Sequence, residues 1–81
     1  MNVGQKLTLE YDREADILFI GKCPAYPEQE SEELEDEVIA RLNPLTREVE
    51  SMEILFFSTR LLRDTLVELP ISADLRLTGK T

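Results

Sequence analysis

The chain has no histidine and no tryptophan, a single cysteine at position 23, and three glycines scattered at positions 4, 21 and 79. Each shortage closes off a kind of chemistry. Without histidine the usual general base near neutral pH is missing, and so are Ser-His and Cys-His nucleophile pairs. Structural zinc normally takes four thiolate or imidazole ligands, and Cys23 is the one such group present. Isolated glycines build no phosphate-cradling loop. A lone thiol makes no intrachain disulfide and suits a reducing compartment. With only Lys22 nearby to make its setting electropositive, Cys23 reads as a structural thiol rather than a reactive one. No apolar run exceeds four residues, as in Ile17–Ile20, far below the ~20 that cross a bilayer. The opening stretch, MNVGQKLTLEYD, has no apolar core of useful length, so neither a signal peptide nor a membrane span is expected, and a cytoplasmic location is.

What is present is short and acidic. Eighty-one residues make one domain. A chain of this size buries only roughly 60–65% of the surface its unfolded form exposes. Small domains offset a thin core with disulfides, a metal or a second subunit. The first two are disfavoured by composition, which leaves self-association. The net charge of −8 is concentrated: residues 28–37, EQESEELEDE, hold seven acids and no base, while the other 71 residues carry ten acids against nine bases. Such a segment repels phosphate backbones, so direct nucleic-acid binding is not expected. It reads as a solvated acidic loop or as a docking patch for a basic protein, with Glu30, Glu32, Glu33 and Glu35 as the docking candidates. No calcium-loop spacing is present, and no cofactor is implied.

Along the chain, Leu7, Leu9 and Tyr11 alternate with Lys6, Thr8 and Glu10, the pattern of a half-buried strand. Asp12-Arg13-Glu14 reads as a tight turn, and Ala15–Gly21 as the return strand of a hairpin. Ile17, Leu18, Phe19 and Ile20 are apolar on both faces, which predicts a strand that is central or covered twice. The prolines of GKCPAYP then interrupt any ladder. From Glu28 to Leu42 two readings compete. Leu34, Val38 and Leu42 recur at helical spacing, with Ser31 placed to cap and Asn43-Pro44 to stop. Alternatively Val38, Ala40 and Leu42 lie on one side of a strand, Asn43–Arg47 forms a hairpin loop with Asn first and Pro second, and Glu48–Leu55 resumes alternation with Met52 and Ile54 together. Periodicity alone favours the strands only slightly.

Ser58 is expected to cap a short helix, Thr59–Thr65. Leu61, Leu62 and Leu66 would be its buried stripe, with Arg60, Arg63 and Asp64 outward. A helix so short needs the sheet to hold it. Leu69, Ile71, Ala73, Leu75 and Leu77 then alternate with polar residues. This predicts a C-terminal strand starting at an edge, because Pro70 donates no ladder bond; a short helix from Ser72 is the competing reading. Phe56 and Phe57 are adjacent, so a strand cannot turn both inward: one is exposed at an interface, or both pack where strand gives way to helix. The fold class is α+β: a small antiparallel β-meander of four to five strands with one short helix packed on the sheet.

The segments YDREADILFI, ESEELEDEVIARL and VESMEILFFS, in that order, resemble the bacterial family of unknown function DUF2283. The family pattern places Tyr and Asp at a strand end, an Asp before an apolar strand, and an acidic stretch before a V-I strand. An I-E-I-L-like strand closes it. Tyr11, Asp12, Asp16, Leu18, Ile20, Val38, Ile39, Glu53, Ile54 and Leu55 occupy those places. The resemblance implies strands rather than a helix over Glu37–Leu42, and a core over about residues 7–58 of a single domain 1–81, with the helix and strand-like tail at 59–77. It implies no catalytic residue; family members are suspected of antitoxin-like or partner-binding roles. Family members often carry glycine where this chain has Glu37, Arg47 and Ser51. If those backbones need φ > 0, a side chain there costs roughly 1 kcal/mol or more.

Tyr11, Asp12 and Asp16 form the one local cluster, read either as a small binding site or as turn chemistry, with Asp12 bonding its own loop. Together these features point to a protein-interaction module acting as a homodimer, with Phe56, Phe57, Ile71 and Leu75 as self-association candidates and a basic protein as a further partner. A small-molecule or divalent-ion binding domain, or a minor carboxylate enzyme, is the alternative.

Overall fold

In the computed structural model, which describes residues 6–64 and 66–78, five strands and one helix follow in chain order. They are β1 (Thr8–Asp12), β2 (Ile17–Gly21), β3 (Glu30–Glu35), β4 (Val38–Leu42), β5 (Val49–Leu55) and α1 (Phe57–Arg63). The strands form one antiparallel sheet in the order β1-β2-β5-β4-β3. β5, the last strand in sequence, is central. β2 is paired on both sides, as its two-faced apolar pattern requires. The acidic stretch is neither loop nor helix but the edge strand β3. Local helical spacing over 28–42 lost to two strands that pair with each other and, through β4, with β5.

Register sorts the side chains into rows. On one face Leu9, Ile20, Met52 and Ala40 lie side by side, and next to them Tyr11, Leu18, Ile54 and Val38. The buried core is Val38, Ala40, Leu42, Met52 and Ile54, all on β4 and β5. On the opposite face the rows run Glu10, Phe19, Glu53, Ile39, Glu33 and Thr8, Gly21, Ser51, Arg41, Ser31.

Two loops use the same device. Asp12 Oδ1 accepts the backbone N–H groups of Glu14 and Ala15 at 3.1 and 3.2 Å. Asn43 Oδ1 accepts those of Leu45 and Thr46 at 2.8 and 3.1 Å. Four positions after each acceptor the backbone turns left-handed, at Asp16 (φ 59°) and Arg47 (φ 66°). A carboxylate or amide oxygen thus substitutes for a backbone acceptor in both turns. Glu37 (φ 67°), in the turn between β3 and β4, and Phe56 (φ 52°) are left-handed as well.

Several expectations need correction. The helix starts two residues early, and Phe56, not Ser58, stands at its N-cap without a side-chain bond. The expected end at Thr65 lies outside the described residues. Leu61, Leu62 and Leu66 are exposed; the helix instead turns Phe57 and Arg60 inward. Phe57 packs on Tyr11 with ring centroids 6.1 Å apart, and Arg60 donates to the carbonyl of Asp36 at 2.7 Å. With so few turns, the contacts available at the sheet end decide which side faces in, not the leucine stripe. The tail forms neither strand nor helix. Leu69 and Ile71 pack against Ala40, Leu42 and Met52, and the N–H of Ile71 reaches back to the carbonyl of Leu69 at 2.8 Å in a tight turn around Pro70. The alternation of Leu69 and Ile71 therefore survives as two anchors, while Leu75 and Leu77 stay exposed. Finally, β1 is not half-buried: every residue of it is exposed.

Candidate interaction surface

Two carboxylates act as internal joints. Asp16 follows the first hairpin loop, and its left-handed backbone aims the side chain across the sheet end. Its Oδ1 accepts from the Tyr11 hydroxyl at 2.6 Å and from the Ser58 N–H at 2.9 Å, and its Oδ2 from the Ser58 hydroxyl at 2.8 Å. Its own carbonyl accepts the N–H of Phe57. Asp16 thereby supplies the acceptors that the first turn of α1 lacks at its own N-cap. The hydrogen bonds from Tyr11 and the Ser58 backbone hold the Asp16 carboxyl below its ordinary range. Tyr11 is raised in return, chiefly because its hydroxyl donates to that carboxylate. Of the cluster Tyr11, Asp12 and Asp16, Asp12 serves its own turn and the other two tie sheet to helix.

Glu50 is the second joint, and alternation marks it: it falls in phase with Met52 and Ile54, on the core side of β5. A register shift between Arg41 and Leu42, where Glu50 is the extra residue, sets it at the sheet end. Its two oxygens accept from Tyr26 (2.6 Å), Gln29 (2.9 Å) and Asn43 (3.1 Å). Those bonds, the Tyr26 one foremost, lower the Glu50 carboxyl, and the same bond pushes Tyr26 up to about 12. Through Glu50 the proline-broken segment after β2 is tied to the second hairpin.

The docking candidates divide. Glu30 and Glu32 both meet the guanidinium of Arg47, with Glu32 at 3.3 Å. Glu33 and Glu35 line a shallow open depression with Asp36, Glu37, Arg60 and Arg63. Among the self-association candidates, Phe56 and Leu75 are exposed, whereas Phe57 and Ile71 are half-buried in intramolecular contacts. The adjacent phenylalanines thus split, one outward and one packed.

A hollow of about 450 Å³ lies on the sheet face away from the core, floored by Phe19 and Gly21 and rimmed by Pro24 and Ala25. Two of its charged groups pair with each other: Arg41 binds Glu53 through Nε at 3.0 Å, while Glu10 also lines the hollow. Cys23 also borders it. Desolvation and the nearby Glu50 charge push its thiol up, away from the thiolate that reactivity needs. Among the described residues no group of acids and cysteine is placed to hold a metal ion, and no helix is long and apolar enough to cross a membrane.

Periodicity alone could not show how exposure changes across the core face of the sheet. Across one line of the sheet, exposure falls from 64% at Leu9, through half-buried Ile20, to 4% at Met52 and 0% at Ala40. The parallel line falls from 41% at Tyr11 to 2% at Ile54 and 0% at Val38. Leu69 and Ile71 cover β4 and β5; Leu7 and Leu9 stay bare, and Tyr11 is covered by Phe57 on one side only. Alternation identified this row but could not say that the cover stops short of it.

Residues 8–58 match the family model described as a protein of unknown function (DUF2283). No curated protein and no solved structure matches the chain.

Proposed function

The chain belongs to the DUF2283 family, and we propose that it is a non-catalytic protein-interaction module that works as a homodimer in the cytoplasm. The observation that carries this reading is the slope of burial across the sheet: a complete core under β4 and β5, and an exposed apolar row at β1. Sedimentation of the purified chain at micromolar concentration tests it. A dimer is expected, and a sharp monomer overturns the proposal.

A second surface supports a role toward a basic partner, of the regulatory or antitoxin-like kind. Glu30 and Glu32 are engaged by Arg47, so Glu33, Glu35 and Asp36 are the carboxylates left to meet it. A basic protein that co-purifies with the wild-type chain is expected to be lost from the Glu33→Gln/Glu35→Gln variant. Its retention removes the docking role. A small-molecule site in the hollow beside Phe19 is less favoured, because Arg41 and Glu53 there already pair with each other.

A further inference from the structure

The sheet has two edges, and they differ in what they permit. β3 carries four glutamates in six residues, Glu30, Glu32, Glu33 and Glu35. A second β3 laid against it sets glutamate against glutamate in every antiparallel register close to full overlap, and like charges directly opposite are destabilising. β1, TLEYD, has no proline, no bulge and no run of charge to close its edge. It also holds Leu9, with Leu7 (53% exposed) just before the strand, and Tyr11, which Phe57 covers on one side only. Among the described residues, an unpaired strand edge and an exposed apolar row occur on the same segment.

We propose that β1 pairs antiparallel with β1 of a second copy, across a two-fold axis at Leu9, so that two five-stranded sheets become one of ten strands. This rests on the reading of the chain as a homodimer and adds its interface and register. Sequence decides the register. Opposed residues in an antiparallel pair lie on one face. With the axis at Leu9, Leu9 meets Leu9, Leu7 meets Tyr11 and Thr8 meets Glu10. Lys6 meets Asp12, an opposite charge. Moving the axis to Glu10 places two carboxylates opposite each other about 5 Å apart. Moving it half a step sets leucine against glutamate. An axis at Thr8 also sets Leu7 opposite Leu9 and Lys6 opposite Glu10, but it leaves Tyr11 without an apolar partner; the Leu9 axis takes in Leu7, Leu9 and Tyr11 together and matches Lys6 with Asp12. It also places the two β3 strands at the far ends of the joint sheet, so the dimer offers two separate acidic edges.

The test is a cross-link at the axis. In a Cys23→Ser background, Leu9→Cys places one thiol opposite its own copy, within the Cα separation a disulfide spans. Glu32→Cys on β3 serves as the control. Under mild oxidant the Leu9→Cys chain is expected to run as a covalent dimer and the Glu32→Cys chain as a monomer. Leu9 is exposed in the single chain, so Leu9→Lys is expected to keep the circular dichroism of the wild type. It should weaken dimerisation at least about a hundredfold, two leucines being lost per dimer. A sedimenting dimer that neither cross-links through position 9 nor responds to Leu9→Lys overturns this interface and leaves self-association standing. A wild-type chain that sediments as a monomer overturns both.

Discussion

Asp16 and Ser58 stand 42 positions apart in sequence, yet one carboxylate takes both the backbone N–H and the hydroxyl of that serine. The bond joins the first hairpin to the first turn of α1. Asp16→Asn keeps the size and the tolerance for left-handed backbone, but its amide cannot accept from Tyr11 and from both Ser58 donors at once. It should lower the melting temperature and free α1, seen as faster amide exchange over residues 58–63. Unchanged exchange there would show that the helix holds without this cap.

The same carboxylate sets a pH dependence. Asp16 is depressed in the folded chain, so its contribution is complete above the unfolded carboxylate value of about 4 and is lost as pH falls through the lower folded value. Tyr26 moves the other way. Pushed up to about 12 by its bond to Glu50, it contributes fully below about 10 and loses that contribution as pH rises through about 12. With no histidine, thermal stability should be flat between roughly pH 6 and 8 and decline at both ends. Asp16→Asn should shrink the acid limb and Tyr26→Phe the alkaline one. Acid melting curves that superimpose for wild type and Asp16→Asn would disprove the assignment.

Arg47 sits at φ 66°, and glycine there relieves about 1 kcal/mol of backbone cost. Against this, Arg47 binds Glu30 and Glu32 with all three side chains about half exposed, and such pairs contribute about 0–1 kcal/mol. The two nearly cancel at low salt. Salt screens the pairs but not the dihedral, so Arg47→Gly should gain relative to wild type as salt rises, reaching about 0.5–1 kcal/mol at 1 M. Glu37→Gly, at φ 67° and with only a 3.6 Å contact to Arg60, should stabilise by a similar amount even at low salt. Destabilisation of both by urea titration would mean the loops hold other constraints.

Gly21 lies opposite Ser51. A Cβ added at Gly21 would stand 2.5 Å from the Cβ of Ser51 and 3.1 Å from the carbonyl of Glu50. Gly21→Ala should therefore cost about 1–3 kcal/mol. Gly21→Ala/Ser51→Gly should recover part of it, since the closest clash is gone and the backbone contact remains. A double variant no better than the sum of the singles would show that the contact with Ser51 is not what excludes a side chain.

Ile54 is 2% exposed and Leu62 88%. Ile54→Ala should cost about 2–5 kcal/mol, enough to unfold a domain with so small a core. Leu62→Ala should change stability by less than about 0.5 kcal/mol. Chemical denaturation distinguishes the two. A large loss at Leu62 would place it in a contact the single chain does not make.

The hairpins were legible because their signals are local. Asp12 and Asn43 announce their turns, and Met52 with Ile54, or Val38 with Ala40, needs only period two to be placed on one face. Glu50 was legible in principle, as an acid in phase with a core row. What covers that face was not. Leu61 and Leu62 carry the stronger apolar pattern in α1, but Phe57 and Arg60 make the contacts. Leu69 and Ile71 carry a strand pattern, but no strand lies beside them to pair with. Asp16 gave no sign of capping a helix four strands later, because the partner of a cap is set by where the chain returns.

By itself, the sequence determined the first hairpin, the turns at Asp12 and Asn43 and which side chains alternate together, since each follows from neighbours a few bonds away; strand β3 and the absence of a strand in the described tail did not follow from it. The order of the strands, the choice of Asp16 as a helix cap and the stretch of sheet left bare were decided only when distant segments met. There the outcome depends on competition for one surface: Leu69 and Ile71 settle on Ala40, Leu42 and Met52 of β4 and β5 and not on β1.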